Sequence, residues 1–334
     1  MSSFDDAPTS IQCLIVAAGT DYRAYEPLRK IRSAGVDLGE LIVVNFLERE
    51  EAVRKAGLAD NYFEFRDLVS CPVQEVSASF SDPAEFFQKI VSLSPLDDEA
   101  TAISIDISCF TKPFFFGLLK LFGTVLNRLV CNVIYTEPRS YVFREGLFDS
   151  FHASSGPTTV TELPSFVGRP ARATERVLVI QLGFEGLLAR EITEDVAPVR
   201  TILVNGFPGL APKFKDISLI SNEKLVGADS NKRICSRANN PFDSYNALDS
   251  ILMEHGEKFF INIAPLGTKP MALGACLVAL HNPNVRIIYP HPEEYALEFT
   301  HECCESWFYV VPLTLSEGSA RQASALARGS AYRE

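Results

Sequence analysis

The chain repeats itself, and this constrains its fold more than any other feature. The segment Ile105-Asp-Ile-Ser-Cys-Phe-Thr-Lys-Pro113, with Gly117 beyond it, recurs as Ile261-Asn-Ile-Ala-Pro-Leu-Gly-Thr-Lys-Pro270, with Gly274 beyond it. The second loop reads one residue longer. Downstream, Ile134-Tyr-Thr-Glu-Pro138-Arg-Ser-Tyr141 answers to Ile288-Tyr-Pro-His-Pro292-Glu-Glu-Tyr295. Upstream, Cys13-Leu-Ile-Val-Ala-Ala-Gly19 answers to Val177-Leu-Val-Ile-Gln-Leu-Gly183, and Leu41-Ile-Val-Val-Asn45 to Thr201-Ile-Leu-Val-Asn205. Collinear matches of this kind mark a tandem duplication, and such self-similarity decides the architecture before local propensity does.

Each half carries short, near-continuous apolar runs rich in Val and Ile, alternating with helical segments at 25–33, 113–126, 186–193 and 270–279. Continuous apolarity means strands covered on both faces, the signature of a parallel sheet between helical layers. The fold class expected is α/β, with two tandem Rossmann-like three-layer units of mainly parallel sheet. The first unit reads as residues 8–150 and the second as 174–314, joined by a small-residue and proline-rich linker at 151–173. Residues 206–239 read as a locally basic insertion in the second unit, and 315–334 as a Ser/Ala/Arg-rich tail.

A length of 334 residues fits two domains of ordinary size. Lys and Arg total 31 against 42 Asp and Glu, a net charge of −11 that argues against bulk nucleic acid or an anionic membrane as partner. No apolar run approaches the roughly 18–20 residues of a membrane helix, and residues 1–10 lack the basic start of a secretory signal, so a cytoplasmic location is expected. Cys13, Cys109, Cys131 and Cys276 sit in apolar runs as buried thiols. No CxxC pair is present, and adjacent Cys303 and Cys304 near His301 are poor ligands for one tetrahedral ion, so no metal is expected.

In open parallel sheets, ligands bind beyond the carboxyl ends of the strands. The repeated motifs fall there. Thr111-Lys112-Pro113 and Thr268-Lys269-Pro270 each place a capping hydroxyl, a mobile cation and a first-turn proline at a helix start, where free backbone N–H groups favour an anion. Gly19 and Gly183 end the first strand of each half. Thr20, Asp21 and Arg23 follow the first of them, either to read a ligand or to cap a turn. Asp106 and Asn262 are read as ending equivalent strands, for ribose hydroxyls or for loop amides. Neither half has a Walker loop or GxGxxG. Glu137 and Arg139 are answered by His291 and Glu293, so the two pockets are chemically unequal.

Two tandem Rossmann-like units with a glycine after the first strand and a Gly-Thr-Lys turn, Leu266-Gly267-Thr268-Lys269-Pro270-Met271, resemble CRISPR-associated Rossmann-fold (CARF) sensor domains and the related SAVED domains. The first copy departs from the pattern, with Cys109-Phe110 before Thr111-Lys112. The resemblance implies a sensor or regulatory protein of anti-phage defence that binds an anionic nucleotide or cyclic oligonucleotide in a cleft between the units and acts on an effector subunit. Its ligand residues would be Gly19, Thr20, Asp21, Arg23, Asp106, Thr111, Lys112, Gly183, Asn262, Gly267, Thr268 and Lys269, with no other cofactor. Two alternatives stand beside it. One is a metal-independent phosphodiesterase or nucleotide hydrolase using the same pocket. The other is a structural subunit that docks a partner through the basic segment and Trp307, Phe308 and Tyr309.

Overall fold

The computed structural model describes residues 2–3, 8–57, 65–93, 96, 102–142, 154–169, 174–297 and 300–314. In chain order the first part runs β1 (Ser2–Ser3), β2 (Ser10–Ala17), α1 (Glu26–Ser33), β3 (Asp37–Phe46), α2 (Leu47–Lys55), β4 (Val73–Ala78), α3 (Pro83–Val91), β5 (Ile103–Asp106), α4 (Lys112–Thr124) and β6 (Val130–Tyr141). The second runs β7 (Ser154–Glu162), β8 (Arg176–Gln181), α5 (Gly186–Val196), β9 (Arg200–Gly206), α6 (Pro212–Ser221), α7 (Glu223–Val226), β10 (Lys232–Ser236), α8 (Pro241–His255), β11 (Phe260–Pro265), α9 (Lys269–His281) and β12 (Arg286–Tyr295). A last strand, β13 (Thr300–Pro312), follows. Among the described residues no helix is long and apolar enough to cross a membrane.

Two Rossmann-like units result. Unit 1 has the strand order β1-β13-β6-β5-β2-β3-β4, and unit 2 the order β10-β9-β8-β11-β12-β7. In each, five parallel strands are followed by one antiparallel strand, β13 on β6 or β7 on β12, and in unit 1 the two-residue β1 pairs antiparallel with β13. The apolar runs explain the central strands: Leu14, Ile15 and Val16 of β2 and Val177, Leu178, Val179 and Ile180 of β8 have no exposure, being covered by helices on both faces. In unit 2 one layer of core joins Leu178, Ile180, Leu203, Ala264 and Ile288 of the sheet to Ala189, Ile192 and Val196 of α5.

Strand pairing corrects the expected boundaries. Residues 300–312 belong to unit 1, not to a second unit ending at 314, because β13 pairs along the whole of β6. The segment 151–173 is not only a linker, since β7 lies in it and closes the sheet of unit 2. Residues 206–239 are no insertion either: α6, α7 and β10 form an ordinary parallel crossover after β9, as α2 and β4 do after β3. Its basic residues Lys232 and Arg233 are exposed on the edge strand β10, where charge guards a sheet edge. Phe308 and Tyr309 are buried in unit 1, and Trp307 donates its indole N–H to Glu137, so this aromatic run is core rather than a docking surface. The tail 315–334 lies outside the described residues.

The register also corrects one equivalence. Leu14 pairs with Leu41 and Ser104, while Leu178 pairs with Thr201 and Asn262. Ser104 in turn pairs with Asn132, and Asn262 with Arg286, three residues before Tyr135 and Tyr289 respectively. Asn262 therefore corresponds to Ser104, and Asp106 to Ala264. The extra loop residue falls in unit 1, not in unit 2. A slip of two residues keeps every side chain on its own face of the sheet, so the apolar pattern cannot detect it.

Candidate functional site

In each unit the direction of chain progress across the sheet reverses between the first strand and the fourth, β2 and β5 or β8 and β11, and ligands of open α/β sheets bind beyond that crevice. The loops carrying Gly19 and Thr111-Lys112 meet there in unit 1, and those carrying Gly183 and Gly267-Thr268-Lys269 in unit 2.

In unit 1 the first-loop residues are engaged with their own fold. The Thr20 hydroxyl donates to the Leu297 carbonyl at 2.9 Å. Asp21 caps a short turn by accepting the Arg23 N–H at 3.0 Å, and Arg23, only 2 % exposed, grips both carboxylate oxygens at 2.7–3.1 Å. The Thr300 hydroxyl of β13 donates to the same carboxylate at 2.7 Å. Burial pushes the Asp21 carboxyl up, but the Arg23 charge, its hydrogen bonds and Thr300 outweigh this and hold it at about 2. Asp106 is likewise inward: its Oδ1 accepts from the backbone and hydroxyl of Ser108 at 2.9 and 2.5 Å. The Ser108 hydroxyl accepts the Thr136 N–H at 2.8 Å, and Thr136 Oγ1 meets Ser306 Oγ at 2.8 Å. This buried polar chain ties β5, β6 and β13 together.

The crevice of unit 1 is filled by aromatic rings. Phe46, at the end of β3, stacks on Phe80 at 4.6 Å between centroids and meets Phe114 at 4.8 Å and Phe110 at 6.1 Å edge-on. Arg49, which the sequence motifs did not single out, lies with its guanidinium 5.2 Å from the Phe46 centroid and donates to the Ala18 and Cys109 carbonyls at 2.8 and 3.3 Å. It also lies across Gly19, where a Cβ would come within 3.3 Å of its Nη1. Thr111 is buried ahead of α4, and Lys112 is half-buried at the first helical position.

Unit 2 has the same corner with small residues. The register makes Gly206 the counterpart of Phe46, because Asn45 pairs with Ser77 as Asn205 does with Cys235. The caps Asp82 and Asn240, each followed by proline, make Ala238 the counterpart of Phe80. The helix starts at Thr111 and Thr268 make Gly267 and Met271 the counterparts of Phe110 and Phe114. Added Cβ atoms on Gly206 and Gly267 would lie 3.2 and 3.1 Å from the Met271 sulfur, so these four residues line one corner. Gly183 is required by close approach, since a Cβ there would sit 2.2 Å from the Leu266 carbonyl oxygen. Thr268 caps α9, accepting the Met271 N–H at 3.4 Å and donating to the Ala238 carbonyl. Lys269 follows, half-buried.

Polar groups missed from the sequence complete this corner. Gln181, the last residue of β8 and fully buried, donates to Ser244 Oγ and the Met271 carbonyl at 2.8 Å each, while its Oε1 has no hydrogen-bond partner among the described residues. The buried Ser236 hydroxyl, beside Gly206 in the strand pairing, also lacks one. Laying one half of the sequence on the other, residue by residue, would have shown Phe46, Phe80 and Phe110 against Gly206, Ala238 and Gly267. Asn262 is not at this corner. It lies in mid-strand and lines a cavity toward the amino ends of the strands, with Arg176 and Arg286. Among the described residues, no three His, Cys, Asp or Glu side chains gather as metal ligands would.

No protein-family model matches the sequence, and no curated protein matches it. Among solved structures, a Type III CRISPR defence DNA nuclease activated by cyclic oligoadenylate aligns at a TM-score of 0.49 and 10 % identity over 84 % of this chain, which spans 65 % of that nuclease's length. The cytoplasmic domain of a prokaryotic cation chloride cotransporter aligns at 0.23 and 8 % identity, over 86 % of this chain and 98 % of that one. At these values neither likeness bears on what the chain does.

Proposed function

We propose that the protein is a CARF-like sensor of anti-phage defence that binds an anionic nucleotide or cyclic oligonucleotide at the carboxyl-end corner of unit 2, with the corner of unit 1 silent. One observation carries this reading. The Thr-Lys-Pro helix start is kept in both units, yet the four positions packed in front of it are Phe46, Phe80, Phe110 and Phe114 in unit 1 and the smaller Gly206, Ala238, Gly267 and Met271 in unit 2. These side chains put less bulk ahead of α9 than the four rings put ahead of α4. The start of α9 and Lys269 suit a phosphate, and Gln181 Oε1 and Ser236 Oγ offer buried hydrogen-bonding groups that need partners.

The test is a thermal-shift titration with cyclic oligoadenylates, cyclic dinucleotides and mononucleotides. A ligand at a hundred times its Kd stabilises the fold by about 2.7 kcal/mol. The shift is expected to vanish in Lys269→Ala and in Gly206→Phe and to persist in Lys112→Ala. No shift with any nucleotide, or equal losses in Lys112→Ala and Lys269→Ala, would overturn the assignment. Chromatography of the recovered nucleotide then separates a sensor, which returns it intact, from a phosphodiesterase.

A further inference from the structure

We propose that unit 2 carries a second ligand site, at the amino ends of its strands, that takes a free α-amino acid. A cavity of about 260 Å³ opens there, between β7, the starts of β8 and β12 and the end of α5. Its volume lies below the roughly 300–1,000 Å³ usual for drug-sized ligands, which suits a small metabolite.

Asn262 lines this cavity on the otherwise apolar face formed by Leu178, Ala264 and Ile288. It is 1 % exposed, and its Nδ2 has no hydrogen-bond partner among the described residues. The corresponding residue of unit 1, Ser104, differs: its hydroxyl oxygen accepts from the Asn132 amide at 3.4 Å. A buried amide of this kind calls for an acceptor within the cavity.

The charges around it define that acceptor. Arg286 is committed: it pairs with Glu162 at 2.6 Å, donates to the Val167 carbonyl at 2.9 Å and lies on the Phe260 ring. Among the described residues, the exposed Arg176 donates only to the Val196 carbonyl, at 3.5 Å, and neither it nor the exposed Asp195 has an ion pair. The cavity thus has at its exposed rim a cation and an anion with no ion pair among the described residues, and in its wall a buried amide donor without a partner among them. A carboxylate directed at Arg176 and Asn262, with an ammonium directed at Asp195 and the negative end of α5, satisfies all three. Phosphate would leave Asp195 opposing it, and a simple amine would leave Arg176 and Asn262 unmet.

The test uses the full chain, titrated by calorimetry and thermal shift with each proteinogenic amino acid, its N-acetyl derivative and its decarboxylated amine. One or a few amino acids should bind saturably, and neither derivative should. Asn262→Ala and the solvent-exposed Arg176→Gln should each weaken binding about tenfold or more, a loss expected of hydrogen bonds to a charged group. Lys269→Ala should leave it unchanged, which keeps this outcome separate from that of the nucleotide corner. No binding at millimolar concentration, equal binding of either derivative, or wild-type affinity in either cavity variant would overturn the proposal.

Discussion

Replacing Phe46 by alanine tests whether the corner of unit 1 is packed or available. The ring has no exposure and three aromatic neighbours within 6.1 Å, with the Arg49 guanidinium 5.2 Å from its centroid. Phe→Ala in a core costs about 3–5 kcal/mol, and the spread depends on how far the surroundings collapse. Phe80 is only partly buried and can settle inward, which places this site at about 3–4 kcal/mol. With a urea dependence of about 2 kcal/mol per molar, the midpoint for unit 1 should fall by roughly 1.5–2 M. The assay is built into the chain: its one tryptophan, Trp307, lies on β13 and reports unit 1 by fluorescence. Nucleotide stabilisation of the folded variant should match wild type. A cost under about 1 kcal/mol would mean that the rings leave room, since that is the scale of an ordinary surface change. Loss of the nucleotide response in folded Phe46→Ala would mean that unit 1 takes part in binding after all.

Asp21 makes unit 1 acid-sensitive. Its carboxyl falls from the usual 3.8 to about 2 in the fold, so the linked stability is full above pH 4 and is lost as pH drops from about 4 toward 2. The amount is about 2 kcal/mol, readable as a shift of the Trp307 unfolding midpoint with pH that Asp21→Asn reduces by that amount, leaving the part due to carboxyls such as Glu48, which is also lowered. At neutral pH, Asp21→Asn itself leaves Arg23 buried without its counter-charge and should cost about 3–5 kcal/mol by the same fluorescence assay. Gly183→Ala forces the loops after β8 and β11 apart and should destabilise unit 2 by about 1–3 kcal/mol while removing the nucleotide shift, measured by circular dichroism and thermal shift. A chain ending before residue 296 removes β13 from unit 1 and should leave unit 2 as the protease-resistant unit; equal resistance of both units would contradict the pairing of β13 with β6.

Most of the architecture was legible because duplication and doubly covered strands both write themselves locally. The helix caps were legible too: Asn240 accepts from the Phe242 and Asp243 N–H groups, as a residue ahead of proline and an acidic first turn should. What escaped was the information carried by pairing. Asp106 and Asn262 looked equivalent because both follow an isoleucine on an apolar strand, and only the ladder shows the two-residue offset. Thr20, Asp21 and Arg23 looked free to read a ligand because their partners, Leu297 and Thr300, lie far along the chain in a strand that local pattern gives no reason to assign to unit 1. Arg49 escaped because its targets are backbone carbonyls, which have no sequence signature.

The placement of β13 shows how buried polar contacts decide between topologies that apolar pattern leaves open. β13 begins five residues after β12 ends, a spacing that favours an antiparallel hairpin with β12, yet it pairs with β6. β12 and β6 are repeats of each other, each carrying one antiparallel strand, β7 or β13, so apolar burial alone would let either of those strands serve either sheet. The difference lies in the polar side chains. On β6, Ser306 meets the Thr136 hydroxyl and Trp307 donates to Glu137, while Thr300 reaches Asp21 beside β2. The counterparts of Thr136 and Glu137 on β12 are Pro290 and His291, and proline offers Ser306 no hydroxyl. Pairing with β12 would therefore bury the Ser306 hydroxyl without that partner and leave Asp21 without Thr300, each at a cost of about 1–3 kcal/mol. Two such terms exceed what a short hairpin link saves in loop-closure entropy, where a doubling of loop length costs only about 0.6 kcal/mol. Asp21, Thr136 and Glu137 are thus committed to holding unit 1 together.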